Sequence, residues 1–394
     1  MDSAEREGLR PKGNVPNLRF PEFQGEWEKC TLNEVCKFHN GRAYKQTELL
    51  AAGKYRVLRV GNFFTNDSWY YSNLELEDNK YAQNGDLLYA WSASFGPRFW
   101  REEKVIFHYH IWKIDSFKNV DKNFLYHFLD LDSAKIKNEV QGGTMVHITK
   151  GDMEKRTISY PSVPEQRNIA RFLFLLDERI ATQNKIIEDL KMLKSAIIEK
   201  HYGQAEKLIA YVADLGESFS VGNLAKEDLT GTGIPCVIYG ELFTTYGETI
   251  LQIESHTNKT ESMVLSKKGD LLFPSSTTVD AMSLIAPSVI NVDGVILGGD
   301  MFGIHISHNY NAQYLSYYFN HIAKKQLAKF AKGSTIIHLH YTDIEKAKLL
   351  LPSLEEQNRM AKCLVALDKK ISVEQNLLSS LTCQKSYLLQ QMFI

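Results

Sequence analysis

Cysteine is scarce and unpatterned: Cys30, Cys36, Cys236, Cys363 and Cys383 contain no C-x-x-C pair. An odd set without that spacing argues against a disulfide framework and against a thiolate zinc site. An excess of one charge is missing too, with 46 Lys and Arg against 47 Asp and Glu and a formal net charge of −1. Binding of nucleic acid through bulk positive charge is therefore excluded, and any such role must rest on local patches. The basic surplus is small and confined to the first half: residues 27–161 carry 19 basic and 17 acidic side chains, whereas residues 204–352 carry 11 and 15. No apolar run is long enough to cross a bilayer, and the opening Met1-Asp2-Ser3-Ala4-Glu5-Arg6-Glu7 lacks a basic-then-apolar signal pattern. The expectation is a soluble, cytoplasmic protein with no membrane partner. Catalytic signatures are absent as well. The sequence has no G-x-x-x-x-G-K-[ST], H-E-x-x-H or G-x-S-x-G motif, no Gly-rich dinucleotide turn, and no N-P-P-[YF] or D-P-P-[YF] amino-methyltransferase motif.

What the sequence does contain is itself, twice. The 394 residues, 44% of them hydrophobic, leave room for two or more cored domains. A shift of 191 residues superposes Gly142-Gly143-Thr144-Met145-Val146-His147-Ile148 on Gly333-Ser334-Thr335-Ile336-Ile337-His338-Leu339 without a gap. Residues 161–180 and 352–371 share nine of twenty positions, where average composition gives about one or two. Upstream the match weakens and the offset shrinks. Gly85-Asp86-Leu87-Leu88 recurs as Gly269-Asp270-Leu271-Leu272, and the region of Val60, Gly61 and Asn62 resembles that of Tyr239, Gly240 and Glu241. Each module thus has a variable front and a closely matched tail, so the tails do one shared job and the fronts two different ones.

The tails read as long helices. Ser162 and Ser353 stand three residues before Glu165 and Glu356, the spacing of a reciprocal capping box. Beyond them, Leu173, Leu176, Ile180, Ile187, Leu190 and Ile197 follow the 3,4 spacing of a coiled-coil seam. Leu364, Leu367, Ile371, Leu378, Leu381 and Leu388 follow the identical spacing, and both seams are interrupted at matching places, by Gln183 with Glu374 and by Lys194 with Lys385. Polar seam residues cost stability but fix register, so the helices pack on each other or on a partner in one alignment. The fronts read as mixed α/β. Strand-like stretches lie at 55–64, 86–91, 105–114, 235–242, 270–273 and 295–307, followed by helices at about 123–140 and 312–332. The expected division is an N-terminal segment 1–26, a first domain 27–161, a central helix 162–203, a second domain 204–352 and a C-terminal helix 353–394.

Candidate contact residues cluster after the repeated G-D-L-L. The first module offers Trp91, Ser92, Ser94 and Arg98 there, together with Arg42, Tyr44 and Lys45 and with Arg59 and Asn62. The second offers Ser275, Ser276, Thr277 and Thr278, with Tyr239 and a basic run Lys324, Lys325, Lys329 and Lys332 on an expected helix. Arg and Lys reach phosphates or a guanine edge, while Ser, Asn and Gln read other edges. Thr144 with His147 and Ser334 with Thr335 and His338 follow the repeated glycine; that loop is either an anion cradle or a packed turn. The pairs His108/His110 and His338/His340 could bridge a metal on a strand face, but neither has an accompanying carboxylate or cysteine cluster, so no metal is expected.

These residues resemble a known family. The opening Asn17-Leu18-Arg19-Phe20-Pro21-Glu22-Phe23 with Gly25-Glu26-Trp27, the twice-used G-D-L-L, and the twice-used Pro-Ser-x-x-Glu-Gln before a long helix are similar to the specificity subunit of type I restriction-modification enzymes. The resemblance implies an α+β chain of two mixed α/β target recognition domains separated by two long antiparallel coiled-coil helices, with an internal pseudo-twofold repeat. It implies a non-catalytic subunit that reads a bipartite site on double-stranded DNA and scaffolds two methyltransferase subunits, and on which restriction or translocase subunits dock. S-adenosylmethionine would be bound by the methyltransferase partner and no cofactor by this chain. Helix length would set the unread spacer, since about 38 helical residues make a rod of about 57 Å. The competing readings are an autonomous DNA-modifying enzyme working around the histidine pairs, and a coiled-coil adaptor with two protein-binding domains.

Overall fold

A computed structural model of the chain describes residues 13–64, 66–92, 95–139 and 147–394. The chain folds as two compact units, Met1–Asn184 with Leu377–Ile394, and Lys185–Asn376. Each therefore holds the first part of one long helix and the last part of the other.

In the first unit the strands are β1 Glu28–Thr31, β2 Lys37–Asn40, β3 Tyr55–Leu58, β4 Tyr70–Ser72, β5 Tyr81–Ala82, β6 Leu87–Ala90, β7 Gly96–Phe99, β8 Val105–Phe107, β9 Ile111–Asp115 and β10 Thr157–Tyr160. They make two four-stranded sheets, in the orders β2-β9-β6-β7 and β4-β3-β8-β5, and a separate β1-β10 ladder. The strand β6 is apolar along its whole length because it is covered on both sides. Leu87 and Tyr89 enter one core, with Trp112, Phe124 and Leu129 of the helix Lys122–Glu139 and Leu173 and Leu388 of the long helices. Leu88 and Ala90 enter another, with Leu58, Phe107 and Ile111.

The second unit repeats this plan. Its strands are β11 Leu208–Tyr211, β12 Gly216–Ser220, β13 Leu229–Thr230, β14 Ile234–Ile238, β15 Thr249–Ile250, β16 Ser255–Thr257, β17 Val264–Leu265, β18 Asp270–Pro274, β19 Ser276–Thr277, β20 Ser288–Ile290, β21 Ile296–Gly298, β22 Met301–Ile306, β23 Ile337–His338 and β24 Lys348–Leu351. The sheet β12-β22-β18-β20 matches β2-β9-β6-β7 with β15 added at the edge, and β16-β14-β21-β17 matches β4-β3-β8-β5 with β13 added. Again the central strand feeds two cores: Leu271 and Phe273 face Phe319 and Leu364, while Leu272 faces Val237 and Leu297.

The structure gives the repeated G-D-L-L a scaffolding role. Gly85 and Gly269 sit at φ +91° and +93°, a left-handed conformation that a side chain disfavours. The Oδ2 atoms of Asp86 and Asp270 then accept from the amides of Gln83 and Lys267, closing the turn that launches each central strand.

The long helices span Val163–Gln204 and Leu354–Met392. All members of both seams are buried or half-buried. Inside each unit the two helices run antiparallel: Asp177 meets Lys385 in the first, while Lys194 meets Asp368 and His201 meets Glu356 in the second. Gln183, Glu374 and Lys194 are buried and Lys385 half-buried. The helix starts differ from the expected capping box. Ser353 Oγ does accept from the Glu356 amide at 3.3 Å, but Glu165 is bound by Nε and Nη2 of Arg19, and Glu356 pairs with His201 and Arg359. An adjacent residue does the locking. The buried Gln166 accepts from the Asp121 amide and donates to the carbonyls of Asn119 and Pro161, and the buried Gln357 accepts from the Asn311 amide and donates to that of Pro352.

One expected helix is shorter than its composition suggests. The helix Ala312–His321 stops before the lysine run, and Lys324–Leu327 forms a separate turn. The amides of Ile322 and Ala323 both bond the Tyr318 carbonyl, which draws Ala323 into the core and breaks the helical ladder. The lysines thus do not share one continuous helix face.

Candidate functional site

In both units the two sheets are joined by a short turn, from β8 to β9 and from β21 to β22. The turn in the first unit closes with the Ile111 amide on the His108 carbonyl at 3.0 Å, and in the second the Met301 amide meets the Gly299 carbonyl at 3.0 Å. The residue that ends the central strand holds this turn from the side: the Trp91 amide donates to the His110 carbonyl at 3.1 Å, and the Ser275 amide to the Asp300 carbonyl at 2.7 Å. The next residue pairs with the repeated histidine, Ser92 bridging His147 and Ser276 standing opposite His338. Four positions are thereby brought together twice on the same backbone frame. Ser92 and Ser276, with His147 and His338, are common to both; Trp91 in the first unit corresponds to Ser275 in the second, and His110 to Asp300.

The faces built on that frame differ. In the first unit Trp91 Nε1 donates to the Tyr109 carbonyl at 2.8 Å, and its ring stacks on Trp112 and lies 4.9 Å from His110 and 6.0 Å from His147. Tyr109 is 39% exposed at the tip. Burial, together with the neighbouring His110 and Arg59, lowers the pKa of His108 to about 4. Burial and the charge of His147 lower that of His110. The face is thus aromatic and carries imidazoles that resist protonation. Arg42 pairs its backbone with the turn and its guanidinium with Glu48, Tyr44 stacks on His108, and Arg59 lies over the Tyr70 ring at 4.3 Å.

In the second unit Gly299 alone fills the place of His108 and Tyr109. It adopts φ +89°, and a Cβ there would stand 3.0 Å from the Tyr239 ring, so glycine lets Tyr239 lie against the turn. Ser275 and Ser276 are buried, Thr277 is half-buried and Thr278 exposed. His338 stacks on His340 at 6.2 Å. The Gly-Ser-Thr loop is a tight turn here. Gly333 sits at φ +113° with the Ile336 carbonyl 2.0 Å from a notional Cβ, and Lys332 and His338 exchange backbone hydrogen bonds across it. Ser334 and Thr335 remain exposed on its outside.

Other candidates fall away from the frame or serve the fold. Asn62 ties its own turn, donating to the carbonyls of Asn66 and Ser68. Arg98 lies on β7 over Phe64 at 4.4 Å, Lys45 caps a turn through its amide, and Lys332 pairs with Asp343. Ser94 and Thr144 lie outside the described residues. His108 and His110 occupy a turn rather than a strand, and among the described residues no group of three or more His, Cys, Asp or Glu could hold a metal ion. Nor is any described helix long and apolar enough to cross a membrane. Tyr109 and Asp300 were not singled out from the sequence. Their signal was the recurrence of a strand, a short turn and a strand, blurred by the missing residue in the second copy.

Comparison with known proteins agrees with the duplication. The family model described as type I restriction modification DNA specificity domain matches twice, over residues 24–192 and 223–382. The type I restriction enzyme MjaVIII specificity subunit of Methanocaldococcus jannaschii is 24% identical, over 91% of this chain and 89% of its own. The EcoBI specificity subunit of Escherichia coli is 23% identical over 44% of this chain. Among solved structures, the S subunit of a type I restriction-modification system from M. genitalium aligns at a TM-score of 0.63 with 17% identity, covering 96% of this chain and 99% of its own. A chain from a study of complex assembly and conformational transition of the type I R-M system aligns at 0.55, with 14% identity and 93% and 97% coverage.

Proposed function

The chain belongs to the family of type I restriction-modification DNA specificity subunits, and on that premise we propose that it reads an asymmetric, two-part DNA sequence, one part per unit, while other chains carry out the chemistry. The observation that supports this is the pair of frames: one backbone arrangement, with Ser and His kept and the surrounding side chains exchanged. A repeated frame positions a reader and its differing side chains choose the base, so two unlike faces predict two unlike half-sites rather than a palindrome. The long helices scaffold two methyltransferase subunits, and restriction subunits join the same cytoplasmic complex. Leu175, Met192 and Leu193 on one helix and Val373 and Tyr387 on the other are exposed, apolar area of the kind that protein partners cover. S-adenosylmethionine sits on the methyltransferase subunits, and this chain is not itself an enzyme.

The test is an exchange of residues 27–150 for the corresponding front of another specificity subunit, with methylated adenines mapped in a host that also makes the methyltransferase. One half of the methylated sequence changes and the other stays. A continuous or palindromic motif, an exchange that leaves the motif unaltered, or methyl transfer by the purified chain alone would each refute the reading.

A further inference from the structure

Several aspartates at turns in this protein have visible structural work, whereas Asp300 on the candidate face has none. Asp86, Asp214, Asp228, Asp270 and Asp343 each accept a backbone amide a few residues away, and Asp280 caps a short helix. Asp300 does neither. It is half-buried at the sheet-joining turn, its backbone carbonyl is fixed by the Ser275 amide, and among the described residues its carboxylate has no hydrogen-bond donor and no cation. Its counterpart on the same frame is His110, whose pKa is lowered.

At a surface that meets DNA a carboxylate is repelled by the phosphates, and an amino donor on a base edge would offset that repulsion. Major-groove edges offer two amino donors, cytosine N4 and adenine N6. Beside N6, adenine presents the N7 lone pair, which repels a carboxylate; cytosine carries no ring acceptor beside N4 on its major-groove edge. We infer that Asp300 is a specificity-determining residue of the second unit, accepting a hydrogen bond from the N4 amino group of a cytosine, and that His110 occupies the equivalent reading position of the first unit. Gly299 supports this arrangement, since the residue before Asp300 carries no side chain of its own at the turn. The inference rests on the function proposed above and goes beyond it in naming the residue, the half-site and the base.

The experiment maps methylated adenines for the complex of the full chain with its methyltransferase subunits, in wild type and in D300A, D300N and H110A. The wild type is expected to give a two-part motif with cytosine in one part. D300A and D300N should lose about 10- to 100-fold of the preference for that cytosine and leave the other part intact. H110A should alter only the other part, which makes each half an internal control for folding. Retention of the cytosine preference in both Asp300 variants overturns the inference while leaving the functional reading in place. A variant complex that methylates nothing is compared with wild type for binding to duplexes differing only at that base: equal preference overturns the inference, lost preference upholds it. Absence of any two-part motif in the wild type would instead remove the reading on which the inference stands.

Discussion

Lys194 Nζ lies 2.8 Å from Asp368 Oδ1, and the contact recurs 191 residues along, with Lys385 Nζ 2.7 Å from Asp177 Oδ1. In each pair the lysine comes from one long helix and the aspartate from the other, and the roles are exchanged between the units. Each lysine also reaches a carboxylate of the neighbouring domain core, Glu248 for Lys194 and Asp130 for Lys385. The seam interruption seen in the sequence is thus an ion-pair clasp that fixes helix register to the domain beside it.

Removing the lysine takes away the cation the two carboxylates share, although Glu248 keeps His321 and Asp368 keeps the Tyr317 hydroxyl. K194M keeps the apolar stem and deletes the ammonium, so Glu248 and Asp368 lose their shared cation. We expect a loss of about 2–3 kcal/mol by urea unfolding, below the 3–5 kcal/mol typical of a fully buried pair because both carboxylates are partly solvated. K385M should cost less, its lysine being more exposed. An unchanged midpoint for K194M would show that the clasp is merely decorative.

Acid should loosen the same place. Burial raises the pKa of Glu248, but the hydrogen bond to His321 and the charge of Lys194 outweigh it and hold the group at about 2. The folded value lies below the unfolded one of about 4.3, so the contribution is fully present above that pH and is lost as pH falls toward about 2. Unfolding measured at pH 7, 4 and 2.5 should show wild type falling toward E248Q as the medium acidifies. A gap between the two that stays constant with pH would contradict the assignment.

The glutamine latches predict a matched pair of effects. Q166A strands the Asp121 amide and two carbonyls, and Q357A strands the Asn311 amide and one. Each should cost about 1–3 kcal/mol, with Q166A the larger. Replacement by glutamate should be worse than by alanine at Gln166, because a carboxylate would face the carbonyls of Asn119 and Pro161. Thermal melts of the three variants check both the size and the order.

Gly333 is a backbone requirement, not a contact. In G333A the new Cβ meets the Ile336 carbonyl and the residue must leave φ +113°, a strain of about 1–3 kcal/mol confined to the loop that carries His338. Recognition by the second unit should weaken while the first half of the motif is kept. Methylation mapping that shows both halves altered, or neither, would count against the frame as the reading element.

Much of this was legible in the sequence, for reasons that differ by position. The seams and the duplicated tails were readable because Leu173 with Leu364 and Lys194 with Lys385 stand in ungapped register, and periodicity survives where packing demands it. The pairing of Ser92 with His147 was not, since it joins segments 55 positions apart through tertiary structure alone. G-D-L-L drew notice as a marker of contact loops, yet Gly85 and Asp86 build the turn and the contact frame lies at the other end of the strand. Gln166 carries no such signal: the sequence pattern points to Glu165 as the capping partner, and only the structure gives Glu165 to Arg19.

A last expectation concerns how the chain holds DNA at all. Its net charge is −1, and several of its cations are spent internally: Arg19 on Glu165, Arg42 on Glu48, Arg56 on Glu102, Arg156 on Asp132 and Lys332 on Asp343. Affinity for duplex DNA comes mostly from phosphate neutralisation, and its salt dependence counts the phosphates contacted. A chain with no net positive charge should bind weakly alone and with a shallow salt slope, reading bases without gripping the backbone. On the proposed function, methyltransferase subunits would supply the grip, so the assembled complex should bind more tightly and with a steeper slope, by about 0.9 in log–log terms for each added phosphate. Titration of one cognate duplex between 50 and 200 mM salt, with the chain alone and with the complex, measures both slopes. Equal affinities and equal slopes would mean that this chain contacts the phosphates by itself, and the division between reading and gripping would have to be given up.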